Sequence, residues 1–144
     1  MKKFLSTSAL VLLSAYGLTG LTAKAQADTI QTTVTFNNAT SSPVSLIGKI
    51  NISGTASPGV PTTIPANGTS GPILFTTDGV VDAGTLQYKA CSFHWGTLEN
   101  VDPVYGTVTW TLTPSAYSNS SCSATVTTAN YFTGQHAVVF TVKN

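Results

Sequence analysis

The run Tyr105-Gly106-Thr107-Val108-Thr109-Trp110-Thr111-Leu112-Thr113 decides the fold class. Val108, Trp110 and Leu112 take alternate positions, and threonines take the positions between them. Successive side chains of a strand point to opposite faces, so this two-residue period means one buried face and one wet face. Threonine is a strand former whose hydroxyl tolerates water, which suits the wet face.

Working outward, the same period recurs. Ile30, Thr32, Val34 and Phe36 alternate with Thr29, Gln31, Thr33 and Thr35. Val44, Leu46, Gly48, Ile50 and Ile52 are expected on one face, with Ser45, Lys49, Asn51 and Ser53 on the other. Pro72 to Thr77, Leu86 to Trp95, Cys122 to Thr128 and His136 to Lys143 complete the set. Turn chemistry separates them at Asn37-Asn38, Ser41-Ser42-Pro43, Pro65-Ala66-Asn67-Gly68, Asp78-Gly79 and Ala83-Gly84. Pro58 and Pro61 exclude a central strand where they stand. Seven or eight short strands without a helical stretch predict an all-β fold, a single antiparallel β-sandwich.

The chain has 144 residues, of which 8% are charged, and it contains no arginine. Lys2 and Lys3, the apolar run Ala9 to Leu13 and the small-residue site Ala23-Lys24-Ala25 form the three parts of a secretory signal peptide. Residues 1–25 are therefore expected to be removed, leaving a β-sandwich domain over 26–144 and an exported product, in the periplasm, at the cell surface or released. In the remainder, three lysines against five acids leave a formal charge of −2. Three cations cannot neutralise a phosphate backbone, so a nucleic-acid partner is excluded. Cys91 and Cys122 predict one disulfide in an oxidising compartment, contributing about 3–4 kcal/mol by loop-closure entropy. By parity Cys91, Phe93 and Trp95 share an apolar face, as do Cys122, Ala124 and Val126, whereas Tyr88, Ser92 and His94 share the opposite face.

The sequence offers little for catalysis. His94 and His136 are the only histidines, and neither a metalloprotease, a nucleophile-elbow nor a phosphate-loop motif occurs. Asp78, Asp82, Glu99 and Asp102 read as loop acids rather than a two-carboxylate centre or a calcium loop. No enzyme, cofactor or metal is expected. The aromatic loops are the better candidates. Tyrosine and tryptophan combine an apolar body with a polar tip, which suits stacking on a glycan or contact with lipid headgroups. His94, Trp95, Tyr105, Tyr131 and Phe132 are the expected ligand-binding residues, with Tyr88 and Tyr117 also expected at the surface. Trp95 stands in two readings, core by parity and ligand-facing by its place in Phe93-His94-Trp95-Gly96.

Val34-Thr35-Phe36-Asn37-Asn38-Ala39-Thr40, Pro61-Thr62-Thr63-Ile64-Pro65-Ala66-Asn67-Gly68, then Gly79, Gly84, Tyr88, His94-Trp95-Gly96 and Pro103-Val104-Tyr105-Gly106 occur in that order. The series resembles the aegerolysin-type small β-sandwich proteins, although the leader and the paired cysteines depart from their usual pattern. The architecture expected is thus immunoglobulin-like or aegerolysin-like. The resemblance implies a compact sandwich that binds membrane lipid, sometimes with a pore-forming partner. The expected function is non-enzymatic binding of a lipid or glycan on a membrane or host-cell surface. The rival is an extracellular fibre or fimbria-like subunit that self-associates by strand addition, with Val138, Phe140 and Val142 as the donor strand.

Overall fold

The computed structural model describes residues 29–89, 91–118 and 121–143, so the expected leader lies outside the described residues. Those residues form eleven strands and no helix. They are β1 (Thr29–Asn38), β2 (Val44–Ile50), β3 (Thr55–Ser57), β4 (Thr63–Ile64), β5 (Gly68–Asp78), β6 (Val81–Tyr88), β7 (Cys91–Val101), β8 (Val108–Leu112), β9 (Ser115–Tyr117), β10 (Cys122–Asn130) and β11 (Gln135–Val142). One sheet runs β10-β11-β1-β5-β3. The other runs β4-β2-β6-β7-β8, with β9 also on β7. The two stack in a sandwich-like arrangement.

The alternation has its expected cause. Val34, Phe36, Ile73, Phe75, Val138 and Phe140 of the first sheet are buried against Val44, Leu86, Tyr88, Phe93 and Trp95 of the second. Phe36 is the hub, with ring centroids 4.9 Å from Tyr88, 5.6 Å from Phe93 and 5.6 Å from Phe140. Phe75 meets Trp95 at 4.5 Å, which extends the aromatic layer toward the second half of β7. Tilted and offset rings at these distances add to the gain from burial alone.

Four expectations need correction. The strand number is eleven rather than seven or eight, because β3, β4 and β9 are two or three residues long and too short to show a period. The sheets are not wholly antiparallel. β1 and β11 pair in parallel, Gln31 opposite Gln135 through Asn38 opposite Val142. A parallel pair needs a long crossover, and here nearly the whole domain lies between the two strands. Residues 86–95 are a hairpin rather than one strand: β6 turns at Lys89 (φ 52) and returns as β7, with Tyr88 opposite Cys91. Lysine at positive φ gives no turn signature, which is why the sequence reads through it. The reversal moves Tyr88 from the expected wet face into the core, while Lys89 lies exposed in the turn. Last, Ala83 and Gly84 lie inside β6 instead of a turn. A Cβ at Gly84 would stand 2.4 Å from the Trp95 ring, so this glycine makes room for an indole.

The disulfide joins Cys91 at the start of β7 to Cys122 at the start of β10, with Cα atoms 6.0 Å apart. It therefore staples one sheet to the other, which is compatible with an oxidising environment. Near it, the buried Asn38 side chain organises the first loop. Its Nδ2 donates to the carbonyls of Ser42 and Pro65 (both 2.9 Å), and its Oδ1 accepts from the Thr40 amide at 3.0 Å and hydroxyl at 2.7 Å.

Substituting Gly84→Val sets a gain in strand propensity of up to about 1 kcal/mol against overpacking of about 1–3 kcal/mol. The backbone cannot retreat from the Trp95 ring, so overpacking wins. Urea unfolding of the variant should show a lower midpoint, and an unchanged midpoint would refute this account of the glycine.

Candidate functional site

Three turns gather at the end of the sandwich opposite the disulfide. They are the β5–β6 turn at Gly79 and Val80, the β7–β8 loop over residues 102–107, and the β10–β11 turn over 131–134. One row of backbone hydrogen bonds runs across them. The Glu99 amide donates to the Val80 carbonyl at 2.9 Å, Glu99 pairs with Trp110 across β7 and β8, and the Trp110 amide donates to the Tyr131 carbonyl at 2.7 Å. The β7–β8 hairpin continues beyond this row, from Asn100 opposite Thr109 to Val101 opposite Val108.

The two larger loops are built alike. In Asp102-Pro103-Val104-Tyr105-Gly106, the Asp102 carboxylate accepts the amides of Val104 (2.7 Å) and Tyr105 (3.0 Å). In Asn130-Tyr131-Phe132-Thr133-Gly134, the Asn130 side-chain oxygen accepts the amides of Phe132 (3.1 Å) and Thr133 (3.2 Å). Each loop closes with a glycine at positive φ, 66° at Gly106 and 65° at Gly134. The short Asx side chain thus replaces backbone partners in the turn, and glycine takes the left-handed position without a Cβ penalty. The amides of Tyr105 and Val104 hold the Asp102 carboxyl below its ordinary range. This shared frame of Asx first and glycine fifth is legible in the sequence, but the strand period does not reveal it.

The fixed turns hold apolar side chains in water. Tyr105 is 84% exposed, Val104 78% and Phe132 72%, and Tyr131, Val80 and Val101 are more than half exposed as well. Among the described residues no lysine belongs to these three turns: Lys49 stands in β2 opposite Leu86, Lys89 in the β6–β7 turn and Lys143 after the far end of β11. Of the expected ligand-binding residues, Tyr105, Tyr131 and Phe132 therefore converge here, while His94 and Trp95 do not. His94 points outward from the middle of β7, its Nδ1 3.1 Å from the Thr85 hydroxyl. Trp95 has no exposed surface. It lies between Phe75 and Gly84, which corrects the reading of Trp95 as a ligand-facing residue and leaves its core reading. Tyr88 is likewise removed from the surface, its hydroxyl donating to the Pro61 carbonyl at 2.6 Å and its pKa pushed up by burial. Val80, Val101 and Val104 join the cluster without having been singled out in the sequence.

Behind the turns, the interior is polar. Thr32, Asp82, Thr97 and His136 are buried. The Thr32 and Thr97 hydroxyls meet across the two sheets at 3.3 Å, and the Thr77 hydroxyl donates to Asp82 Oδ1 at 2.9 Å. Asp82 Oδ2, both His136 ring nitrogens and both indole nitrogens have no hydrogen-bond partner. Burial lowers the His136 pKa, and the Asp82 charge opposes that shift in part. Neither histidine is hydrogen-bonded to a carboxylate. A separate shallow groove of about 280 Å³ on the outer face of the first sheet is uncharged and lined by Gln31, Thr33, Leu74, Thr128, Gln135 and Ala137 with His136.

Truncation should separate the two kinds of aromatic. Trp95→Ala empties a core position and should cost about 3–5 kcal/mol. Tyr105→Ser removes a side chain that is largely in water and should change stability by about 0.5 kcal/mol or less. Thermal melts of the two variants test this, and equal losses would refute the placement of either residue.

The chain matches no protein-family model, and comparison with curated proteins finds no match.

Proposed function

We propose that this protein is an exported, non-enzymatic binding protein that docks on a lipid surface through the loop end of its sandwich. The observation that carries the reading is the set of Val80, Val104, Tyr105, Tyr131 and Phe132, held in water by turns that hydrogen bonds already fix. Exposed apolar side chains on rigid turns of one end mark an interaction site. Pre-fixed turns also reduce the ordering cost of binding. Aliphatic valines beside tyrosine and phenylalanine suit the boundary between headgroups and acyl chains, where aromatic rings with polar tips prefer to sit. The resemblance to aegerolysin-type proteins points the same way.

A glycan ligand is the rival within the same reading. Tyr105 and Tyr131 would stack on a sugar ring, but the valines would contribute little to it. The structural-subunit reading keeps one supporting feature. β10 is an outer strand whose nine residues carry no charge, an edge without the lysines that usually deter pairing. Its donor is not the last strand, because β11 is paired on both sides, with β10 and with β1, and buries Val138, Phe140 and Val142 in its own core.

With acids at the loop end and, among the described residues, no lysine in its three turns, docking should need no anionic lipid. Flotation with zwitterionic phosphatidylcholine vesicles should retain the protein, and raising the salt concentration should leave retention unchanged. The triple substitution Val104→Ser, Tyr105→Ser, Phe132→Ser removes about 1 kcal/mol of insertion per side chain, so vesicle affinity should fall on the order of 100-fold. Retention by a glycan array and not by vesicles would move the assignment to a sugar. Concentration-dependent polymers without either would move it to the subunit reading. Failure of all three would overturn the proposal.

A further inference from the structure

His136 is an unusual occupant of a core. It is 3% exposed, and neither ring nitrogen has a hydrogen-bond partner. It stands two residues after Gly134, the glycine that closes the Tyr131–Phe132 turn beside the Trp110 indole, where an added Cβ would stand 3.3 Å from the ring. That turn is tied to β8 by the bond from the Trp110 amide to the Tyr131 carbonyl.

The groups at this end of the interior are Thr32 and Ala129, opposite His136 in β1 and β10, then Thr77, Asp82, Thr97 and Trp110 from β5, β6, β7 and β8. Asp82 is the charged one among them, and half-buried Glu99 lies one inward position further along β7. The Asp82 carboxylate gives one oxygen to the Thr77 hydroxyl.

We propose that His136 is an acid-sensitive latch for the Tyr131–Phe132 turn: protonation places a cation in the core that is relieved when the turn lifts from Trp110 and admits water. This deepens, and rests on, the reading of the loop end as a docking site. The sign follows from burial. The closed form binds a proton less readily than a hydrated imidazole does, so below about pH 6.5 the open form carries more protons and is favoured as the pH falls. The Asp82 charge reduces this preference without reversing it. Lifting the turn exposes Trp110, which adds a buried indole to the Tyr131 and Phe132 side chains already in water. Acidity would thus strengthen docking.

The two tryptophans report on the latch without any lipid. Trp110 lies under the turn, and Trp95 lies against Phe75 deeper in the aromatic layer. Between about pH 7.5 and about pH 4.5, wild-type emission should shift to longer wavelength, and the shift should vanish in Trp110→Phe, which retains Trp95. His136→Phe should abolish the transition, with His136→Gln as the second variant if the first does not fold. In the wild type, proton NMR should show the His136 ring titrating below the ordinary imidazole range, with the midpoint of the emission change. Emission that stays constant, a transition that survives in a folded His136 variant, or a ring that titrates at or above the ordinary range would each overturn the latch. Flotation with phosphatidylcholine vesicles over the same series is scored separately. Retention that rises several-fold with acidity supports both readings, whereas no retention at any pH beside an intact lipid-free transition defeats the membrane reading and upholds the latch.

Discussion

Phe36 touches three other aromatic rings from both sheets, and that contact layer sets the distance and register between them. It works because β1 is an interior strand, held by β11 on one side and β5 on the other. The strand that opens the described chain and the strand that closes it are thus hydrogen-bonded neighbours, and the intervening strands fold between them. A domain locked in this way cannot spare its last strand to a neighbour without losing Val138, Phe140 and Val142 from its own core.

The aromatic layer also explains why the two ends of the molecule differ. Toward the disulfide, the interior is filled by rings, aliphatic side chains and a fully engaged Asn38. Toward the three turns, it passes to Thr32, Thr97, Asp82 and His136, several of whose polar atoms have no partner. Buried polar groups without partners each cost on the order of 1–3 kcal/mol, so this end is the less stable one. Mobile and ligand-facing elements come from the less stable parts of a fold. The exposed apolar tips sit directly over that end, on turns fixed by Asp102 and Asn130.

Particular residues show how far the linear pattern reaches. The period of two placed Ile30, Val34, Phe36, Phe93 and Trp110 inside, because burial against a second sheet is the force behind the pattern itself. It misplaced Tyr88, since a turn through Lys89 carries no turn residue and flips the parity of everything before it. It left Trp95 undecided, since an aromatic beside glycine and histidine reads equally as loop or strand. Gly84 read as a turn because the reason for the glycine is an indole eleven residues away. In the candidate site, Tyr105, Tyr131 and Phe132 were legible as loop aromatics, but their neighbours Val80 and Val104 were not, because valine signals a strand wherever it occurs.

The sequence alone determined the all-β class, the wet and dry faces of β1, β7 and β8 and the pairing of the two cysteines. Each of these follows from local periodicity or from the count of available partners. Tertiary structure alone decided the parallel pairing of β1 with β11, the gathering of three separate turns at one end and the burial of His136 behind them. Those features depend on which strand lies beside which, and backbone hydrogen bonds between distant segments are the same for every side chain, so the order of residues does not record them.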